Sequence, residues 1–182
     1  MNEVENPTVL ETHGGLGKIF DACYSKLNGV TFEINPRKAE YLARRRPEWI
    51  VFQSDCMDGI RPELINHMPL KFNFIDIDPY GDPWEIIGAI FSRGCSFKNR
   101  IGVCVNDGLR LRLKRSQAWQ TKTMLEKLEK YGESKIYREY KKLAHELFTE
   151  KAAIAGYQIK KWTSYYCGHL DQMTHYAAIL SR

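Results

Sequence analysis

Short apolar runs alternate with segments of helical periodicity along the first part of the chain. Five runs have the β-branched and aromatic content of strands, at Val9–Glu11, Val30–Ile34, Trp49–Phe52, Phe72–Ile77 and Ile101–Val105. Between these runs, apolar residues recur every three or four positions, which is the spacing of an amphipathic helix. The alternation predicts an α/β protein whose sheet is mostly parallel.

Local sequence signals mark the predicted helix boundaries. Asn35-Pro36 is a helix start, because asparagine can cap a helix and proline suits its first position. Helical spacing also predicts a helix over residues 16–27 and another after Pro83. A further helix is predicted over Tyr137–Ala155, ending at Gly156.

The last part of the chain is predicted to form a β-hairpin. Two strands, Tyr157–Cys167 and Met173–Leu180, flank a turn over residues 168–171. We therefore predict a doubly wound, mostly parallel sheet with a C-terminal antiparallel hairpin, in one domain spanning residues 1–182. Such sheets bind ligands outside the carboxyl ends of their strands, so we expect the functional residues to lie there.

Composition excludes several classes of protein. Of 182 residues, 43% are hydrophobic and 27% charged, as in a folded globular domain and unlike a disordered or fibrous chain. No apolar run approaches the roughly 20 residues that span a bilayer. The start of the chain is acidic and polar, unlike a secretory signal peptide. Five cysteines without a CxxC pair suit reduced thiols, so we expect a cytoplasmic protein.

The positive charge of the chain is concentrated in one stretch. The chain has 27 basic and 22 acidic residues, a net charge of +5. Residues 110–161 contain 14 of the basic and 6 of the acidic residues, so this stretch holds the whole excess. The pattern predicts an anionic partner, with nucleic acid first. The alternative is a solvated basic helix.

Acidic residues follow three successive predicted strands. Glu11 precedes the glycine-rich turn Gly14-Gly15-Leu16-Gly17, whose backbone a ligand could approach closely. Glu33 ends the second strand and could accept hydrogen bonds from both hydroxyls of a ribose. Asp55 follows the third strand and could accept a bond from an adenine amino group. Together they predict a nucleoside site, although each alone could be a solvated carboxylate or a tightly packed turn.

The fourth strand ends in Asp78-Pro79-Tyr80. The Asp78 carboxylate and the Pro79 carbonyl could each accept one hydrogen of an exocyclic amine, while Tyr80 stacks on the base. That arrangement would direct the amine lone pair towards an electrophile. The alternative is a β-turn with solvent-facing acids.

The segment Ile75–Pro83 resembles the Asp-Pro-Phe/Tyr-Gly motif of the tRNA guanine-N2 dimethyltransferases, within the class I S-adenosylmethionine-dependent methyltransferases. The resemblance extends through Val9–Gly17, Phe32–Pro36 and Val103–Asp107. It implies a Rossmann-like fold and S-adenosylmethionine as cofactor. Where the family usually has serine, this chain has Asp82.

The resemblance also implies roles for particular residues. The implied catalytic residues, which would receive the target base, are Asp78, Pro79 and Tyr80. The implied cofactor-binding residues are Glu11, Gly15, Gly17, Glu33, Asp55, Cys56 and Asp76.

A basic cluster follows the fifth strand, within a segment over about residues 109–136 that we expect to face the substrate. Cations beside an aromatic side chain suit a polynucleotide that presents one unstacked base. The predicted substrate-binding residues are Arg110, Arg112, Lys114, Arg115 and Trp119. Cys167, His169 and His175 lack a convincing fourth ligand, so we predict no metal site.

These observations predict an S-adenosylmethionine-dependent N-methyltransferase acting on an exocyclic amine of a nucleobase, guanine N2 in tRNA or other RNA first. DNA is the alternative nucleic acid, and a silent nucleic-acid-binding protein is the alternative from another class. A small-molecule methyltransferase would have no use for the basic cluster. The chain is short for a separate recognition domain, so specificity is expected from the basic cluster, a second copy or a recognition partner.

Overall fold

A single seven-stranded sheet forms the centre of the fold. The computed structural model describes residues 4–114 and 122–182, without the side chains of residues 112–114, 122 and 123. The strands are β1 Thr8–Glu11, β2 Asn28–Phe32, β3 Ile50–Phe52, β4 Phe74–Ile77, β5 Arg100–Asp107, β6 Gln158–Cys167 and β7 Met173–Ser181. Their order is β3-β2-β1-β4-β5-β7-β6, with β1–β5 parallel and β7 antiparallel to both β5 and β6. The doubly wound sheet and its C-terminal hairpin are confirmed.

Seven α-helices connect the strands in the described residues. They are α1 Pro36–Arg45, α2 Cys56–Gly59, α3 Pro62–Ile65, α4 Trp84–Ser92, α5 Leu109–Lys114, α6 Lys122–Tyr131 and α7 Glu133–Ile154. The predicted start of α1 is confirmed, since Asn35 Oδ1 accepts a hydrogen bond from Lys38 N at 3.2 Å. Of the helices that the structure describes, none has the length and apolar content to cross a membrane.

The first predicted helix is shorter than expected. Of residues 16–27, only 18–24 are helical, and Phe20–Tyr24 form a π-helical turn. The rings of Phe20 and Tyr24 lie 5.2 and 6.3 Å from the ring of Trp49. Both rings are buried there, whereas Leu16 is 58% exposed. The apolar positions of this segment therefore fill a small core in one turn and do not form a long helical face.

The sheet has two differently covered faces. On one face, α4 and α7 enclose the main core with alternate strand residues such as Ile75, Val103 and Tyr176. On the other face, Val9 and Phe74 pack with the π-helical turn and Trp49. Because side chains alternate along a strand, residues next to one another in β6 and β7 face opposite sides.

A buried hydrogen-bond network lies below the carboxyl end of β5. Asp107 is fully buried and accepts hydrogen bonds from the hydroxyls of Tyr140, at 2.7 Å, and Tyr176, at 3.3 Å. Tyr140 in turn accepts a bond from the Trp84 indole at 2.8 Å. Burial raises the pKa of Asp107 to about 7, despite the hydrogen bonds that oppose it. Between about pH 4 and 7 the folded state therefore holds a proton that the unfolded chain releases.

This proton makes stability depend on pH. The folded pKa of Asp107 lies above the ordinary value of 3.8, so its contribution is complete below about pH 4 and is lost as the pH rises through 7. We expect Asp107→Asn to reduce the fall in unfolding free energy between pH 5 and 7 by up to about 1.4 kcal/mol per pH unit. Urea unfolding at several pH values measures this slope. Asp58→Asn, at an exposed carboxylate, is the control, and parallel curves for wild type and Asp107→Asn would contradict the prediction.

Candidate active site

A cleft opens where the strand order reverses, between the carboxyl ends of β1 and β4. Its volume is about 420 Å³, within the range of small-molecule sites. Six residues predicted from the sequence line it: Glu11, Gly15, Gly17, Glu33, Asp78 and Tyr80. Gly14 and Leu16, of the predicted glycine-rich turn, also line the cleft, together with His13, Lys18, Ile19 and Lys38.

The glycine-rich turn forms one wall of the cleft. Gly14 N donates to Phe32 O at 2.9 Å, and a side chain at Gly14 would strike Leu42, 2.4 Å from the Cβ position. Gly15 is different, because its φ is +54° and no atom lies within 4 Å of its Cβ position. The turn is therefore packed tightly against β2 and α1, while its backbone at Gly15 faces open space.

Glu33 is fixed at the end of β2 by backbone donors. Its Oε2 accepts from Gly15 N at 2.9 Å, and its Oε1 accepts from Asn35 N at 2.8 Å. The residue is only 8% exposed, yet it lines the cleft. Each carboxylate oxygen can accept a further hydrogen bond, so the group can receive two neighbouring hydroxyls of a ligand.

Glu11 is held by a cation that sequence reasoning missed. Its Oε2 accepts a hydrogen bond from Arg46 Nη1, and side-chain exposure is 3% for Glu11 and 0% for Arg46. Burial raises the pKa of Glu11, and the Arg46 guanidinium opposes that rise. Arg46 also lies over the rings of Phe20, at 4.2 Å, and Trp49, at 5.1 Å. Three consecutive arginines end α1, and nothing in their sequence says which one turns inward.

His13 lies at the inner end of the glycine-rich turn. Its Nδ1 is 2.8 Å from Thr12 Oγ1, and its Nε2 is 3.7 Å from Cys56 Sγ. Burial lowers the pKa of His13, although nearby carboxylates, with Asp78 first, oppose this. The lowered pKa favours the neutral imidazole. Three carboxylates, on Glu11, Glu33 and Asp78, and two ammonium groups, on Lys18 and Lys38, line the cleft, so a ligand there meets both signs of charge.

Two predicted cofactor residues lie beside the cleft and do not line it. Asp55 is exposed and caps α2, its Oδ1 accepting from Met57 N at 2.7 Å. Cys56 is buried and touches His13. Asp55 also lies close enough to His13 for its charge to oppose the lowering of the His13 pKa.

Asp76 is placed differently from the prediction. Its Oδ2 accepts a hydrogen bond from the Tyr24 hydroxyl at 2.9 Å, and the residue is 3% exposed. Burial raises its pKa to about 7. Asp76 thus belongs to the packing under the cleft and is not among the residues that line it. Asp76 and Asp78 are two residues apart, so they lie on the same face of the sheet, with Asp76 one row further from the rim of the cleft.

The loop after β4 presents Asp78 and Tyr80 at the mouth of the cleft. Pro79 O accepts from Gly81 N at 2.9 Å, and Gly81 O accepts from Gly108 N at 2.8 Å. Gly81 has φ +119°, a conformation that favours glycine. These bonds fix the loop to the end of β5 and occupy one of the two acceptor positions of the Pro79 carbonyl. Tyr80 is 99% exposed.

Arg110 does not lie on an exposed basic rim, contrary to the prediction. It is 6% exposed, and its guanidinium lies 3.6 Å from the ring centre of Tyr166 and 4.2 Å from that of Tyr137. Its Nη1 donates to the Asp171 carbonyl, with an N–O distance of 2.5 Å. Cation–π contact with two rings explains the burial. The predicted substrate contacts of Arg112, Lys114, Arg115 and Trp119 lie outside the described side chains.

The described residues offer no metal centre. Among residues 4–114 and 122–182, no group of three or more His, Cys, Asp or Glu side chains is arranged to hold a metal ion.

The chain is similar to known proteins in its fold. No family model matches the chain, and no curated protein matches it in sequence. Among solved structures, the N-methyltransferase NodS from Bradyrhizobium japonicum, in complex with S-adenosyl-L-homocysteine, matches 96% of this chain and 78% of its own, with a TM-score of 0.59 and 9% identity. TYW2 from M. jannaschii, in complex with AdoMet, matches 98% of this chain and 70% of its own, with a TM-score of 0.56 and 15% identity.

A third solved structure with a similar fold is that of a cyclopropane synthase. The cyclopropane synthase MmaA2 from Mycobacterium tuberculosis matches 97% of this chain and 78% of its own, with a TM-score of 0.54 and 11% identity. At such low identity the likeness concerns architecture alone. The chain shares the Rossmann-like fold of these methyltransferase structures.

Proposed function

We propose that the protein is an S-adenosylmethionine-dependent N-methyltransferase acting on an exocyclic amine of a nucleobase. The observation that carries this proposal is that Asp78 and the fully exposed Tyr80 share one cleft with Glu11, the glycine-rich turn and Glu33. One end of that cleft suits a nucleoside, and its mouth suits a planar base with an amine.

The residues of the cleft fit S-adenosylmethionine. Glu33 can receive the two ribose hydroxyls, because its backbone bonds leave an acceptor position on each oxygen. The open backbone at Gly15 allows close approach, and Glu11 can accept from the ammonium of the methionine part. The bound sulfonium supplies an electrophilic methyl group.

Asp78 and Tyr80 orient the acceptor. The Asp78 carboxylate accepts one hydrogen of the amine, and the remaining acceptor position of the Pro79 carbonyl can take the other. The amine lone pair then forms the new C–N bond as the C–S bond breaks and its electrons remain on sulfur. The surplus proton of the amine passes to Asp78 and from there to solvent. Tyr80 stacks on the base and holds its plane.

Nucleic acid as the source of the base is supported by charge. The net positive excess over residues 110–161 follows β5, and Lys130, Lys135 and Arg138 in this stretch are exposed. Guanine N2 in RNA, and tRNA in particular, is favoured by the resemblance of residues 75–83 to the guanine-N2 dimethyltransferases. DNA is the nearest alternative.

Methyl transfer from labelled S-adenosylmethionine tests this function. The purified protein is incubated with unmodified tRNA, rRNA, DNA and a mixture of small amines, and digestion to nucleosides locates the label. We expect labelled N2-methylguanosine from RNA. Label in DNA adenine or cytosine would shift the substrate to DNA, and label only in small amines would overturn the nucleobase assignment. Nucleic-acid binding without any transfer would identify a silent protein of the same fold.

Cofactor affinity tests the assignment of Glu33. Glu33→Gln removes the charge and one of the two acceptor oxygens, so we expect the Kd for S-adenosylmethionine to rise about 10- to 100-fold. Isothermal titration calorimetry measures the change. Glu40→Gln, on the exposed face of α1, is the matched control and should bind like wild type. Equal affinity in Glu33→Gln and wild type would contradict the assignment.

A further inference from the structure

A cross-strand row of side chains leads away from Asp78 along the face of the sheet opposite α7. We propose that Tyr165 and His175 in this row form a stacking site for a base of a single-stranded nucleic acid, next to the base held at Asp78. The inference rests on the proposed function and adds a second subsite to it.

Strand register places the row. β4 and β5 pair up to Ile77 and Val105, so Asp78 continues beside Asn106. Asn106 pairs with His175 in β7, and His175 pairs with Tyr165 in β6. These residues alternate with the core-facing positions, so they share one face and the carboxyl edge of the sheet. With neighbouring strands about 4.8 Å apart, β7 lies roughly 10 Å from β4.

Tyr165 and His175 form an aromatic pair with an accessible surface. Their ring centres are 5.4 Å apart at 45°, and the Tyr165 hydroxyl lies 3.3 Å from His175 Nδ1. Tyr165 is 53% exposed. Burial lowers the pKa of His175, and the charge of Asp78 acts on it in the opposite sense, which fits the short path between them. The face of the half-exposed Tyr165 ring offers a surface on which a base can stack, with the tilted imidazole of His175 at its side.

The pair is not needed by the core. The neighbouring residues in the strands, Tyr166 and Tyr176, turn towards α7 and belong to the main core. One row below the pair, Ala177 and Thr163 line a shallow apolar depression of about 290 Å³. Small side chains lie below the pair, and the exposed Tyr165 and the half-buried His175 lie at the carboxyl edge of the sheet, where Asp78 also lies.

A nucleotide is the occupant that this geometry fits. An enzyme that modifies a base must act on one that is unstacked from its neighbours, so those neighbours need new stacking partners. Stacking on an aromatic side chain is worth about 1–3 kcal/mol per base and tolerates any base, since all have a π-face. The row from Asp78 to Tyr165 supplies an amine acceptor at one end and such a partner at the other.

Equilibrium binding of labelled oligonucleotides tests the subsite. The probe is a fluorescein-labelled single-stranded RNA of roughly 12 nucleotides, a length that a single-strand groove can hold, with one guanine in a uridine background. We expect Tyr165→Ala to raise its Kd about 5- to 100-fold. Tyr165→Phe keeps the ring and should stay near wild type. Thr163→Ala, an exposed change one row away on the same strand, is the matched control.

An abasic probe separates stacking from a general loss of affinity. When the nucleotide on one side of the guanine lacks its base, wild type should bind more weakly by a factor similar to that of Tyr165→Ala. Tyr165→Ala should not distinguish this probe from the complete RNA, because the two changes remove the same contact. If the abasic probe and Tyr165→Ala lowered the affinity independently, so that their fold-losses multiplied, the subsite would be wrong.

The outcome is distinguishable from failure of the proposed function. If wild type binds S-adenosylmethionine and methylates RNA while Tyr165→Ala has unchanged affinity for the probe, the subsite alone is wrong. If wild type neither binds nor methylates any nucleic acid, the proposed function is wrong, and the subsite with it.

Discussion

Asp78→Ala is expected to lower kcat by roughly 10²- to 10⁴-fold, the usual contribution of a positioned proton acceptor. The carboxylate lines the mouth of the cleft, where it would orient the amine and accept its proton. The ribose contacts proposed for Glu33 and the backbone of Gly15 do not involve Asp78. Affinity for S-adenosylmethionine should therefore remain within a few-fold of wild type. Single-turnover methyl transfer together with calorimetric titration measures both quantities.

Two further variants define what Asp78 contributes. Asp78→Asn keeps an acceptor oxygen and loses the base, so its rate should fall between those of wild type and Asp78→Ala. Asp82→Asn controls for damage to the loop, because Asp82 Oδ1 accepts from Trp84 N at 2.8 Å at the start of α4. Full turnover of Asp78→Ala with intact cofactor binding would remove Asp78 from the mechanism.

Arg46→Met is expected to reduce the free energy of unfolding by about 3–5 kcal/mol, the cost of leaving one partner of a buried ion pair alone. Arg46 and Glu11 are almost fully buried, and the guanidinium also contacts the rings of Phe20 and Trp49. Removal of the cation would leave Glu11 with the burial that already raises its pKa. The variant should also bind S-adenosylmethionine more weakly, because Arg46 lies directly under Gly17. Urea unfolding measures the stability.

The neighbouring arginine provides the control. Arg45 forms an ion pair with Asp21 at 2.9 Å in which both side chains are partly exposed, so Arg45→Met should change stability far less. The double variant Glu11→Gln/Arg46→Met should recover much of the loss, since no uncompensated charge remains. If Arg46→Met and Arg45→Met were equally stable, the buried pair would have no structural role.

Much of the architecture could be predicted from the sequence because strand signals are local. The apolar runs at Val9, Val30 and Ile101 mark strands, and Asn35-Pro36 marks a helix start that the structure confirms. Over residues 16–27 the helix is shorter than predicted, because periodicity does not reveal how many turns the packing allows. Here Phe20 and Tyr24 pack on Trp49, which lies just before β3 and far away in sequence.

The candidate site, too, could be predicted from the sequence only in part. Glu11, Glu33 and Asp78 were identifiable because each follows a strand, and the carboxyl ends of parallel strands meet at one edge. Asp76 and Arg110 were misplaced because a charged residue in sequence reads as accessible. Tyr24 covers the first, and two tyrosine rings enclose the second.

The sequence by itself determined the α/β class, the closing hairpin and the residues that end each strand, since these depend on short-range periodicity and turn chemistry. Only the tertiary structure decided which charged groups face the cleft and which are buried. It selected Arg46 from three consecutive arginines, placed Asp76 beneath the cleft, and aligned His175 and Tyr165 with Asp78. Those outcomes depend on contacts between segments far apart in the chain, where burial and strand register act and local patterns carry no information.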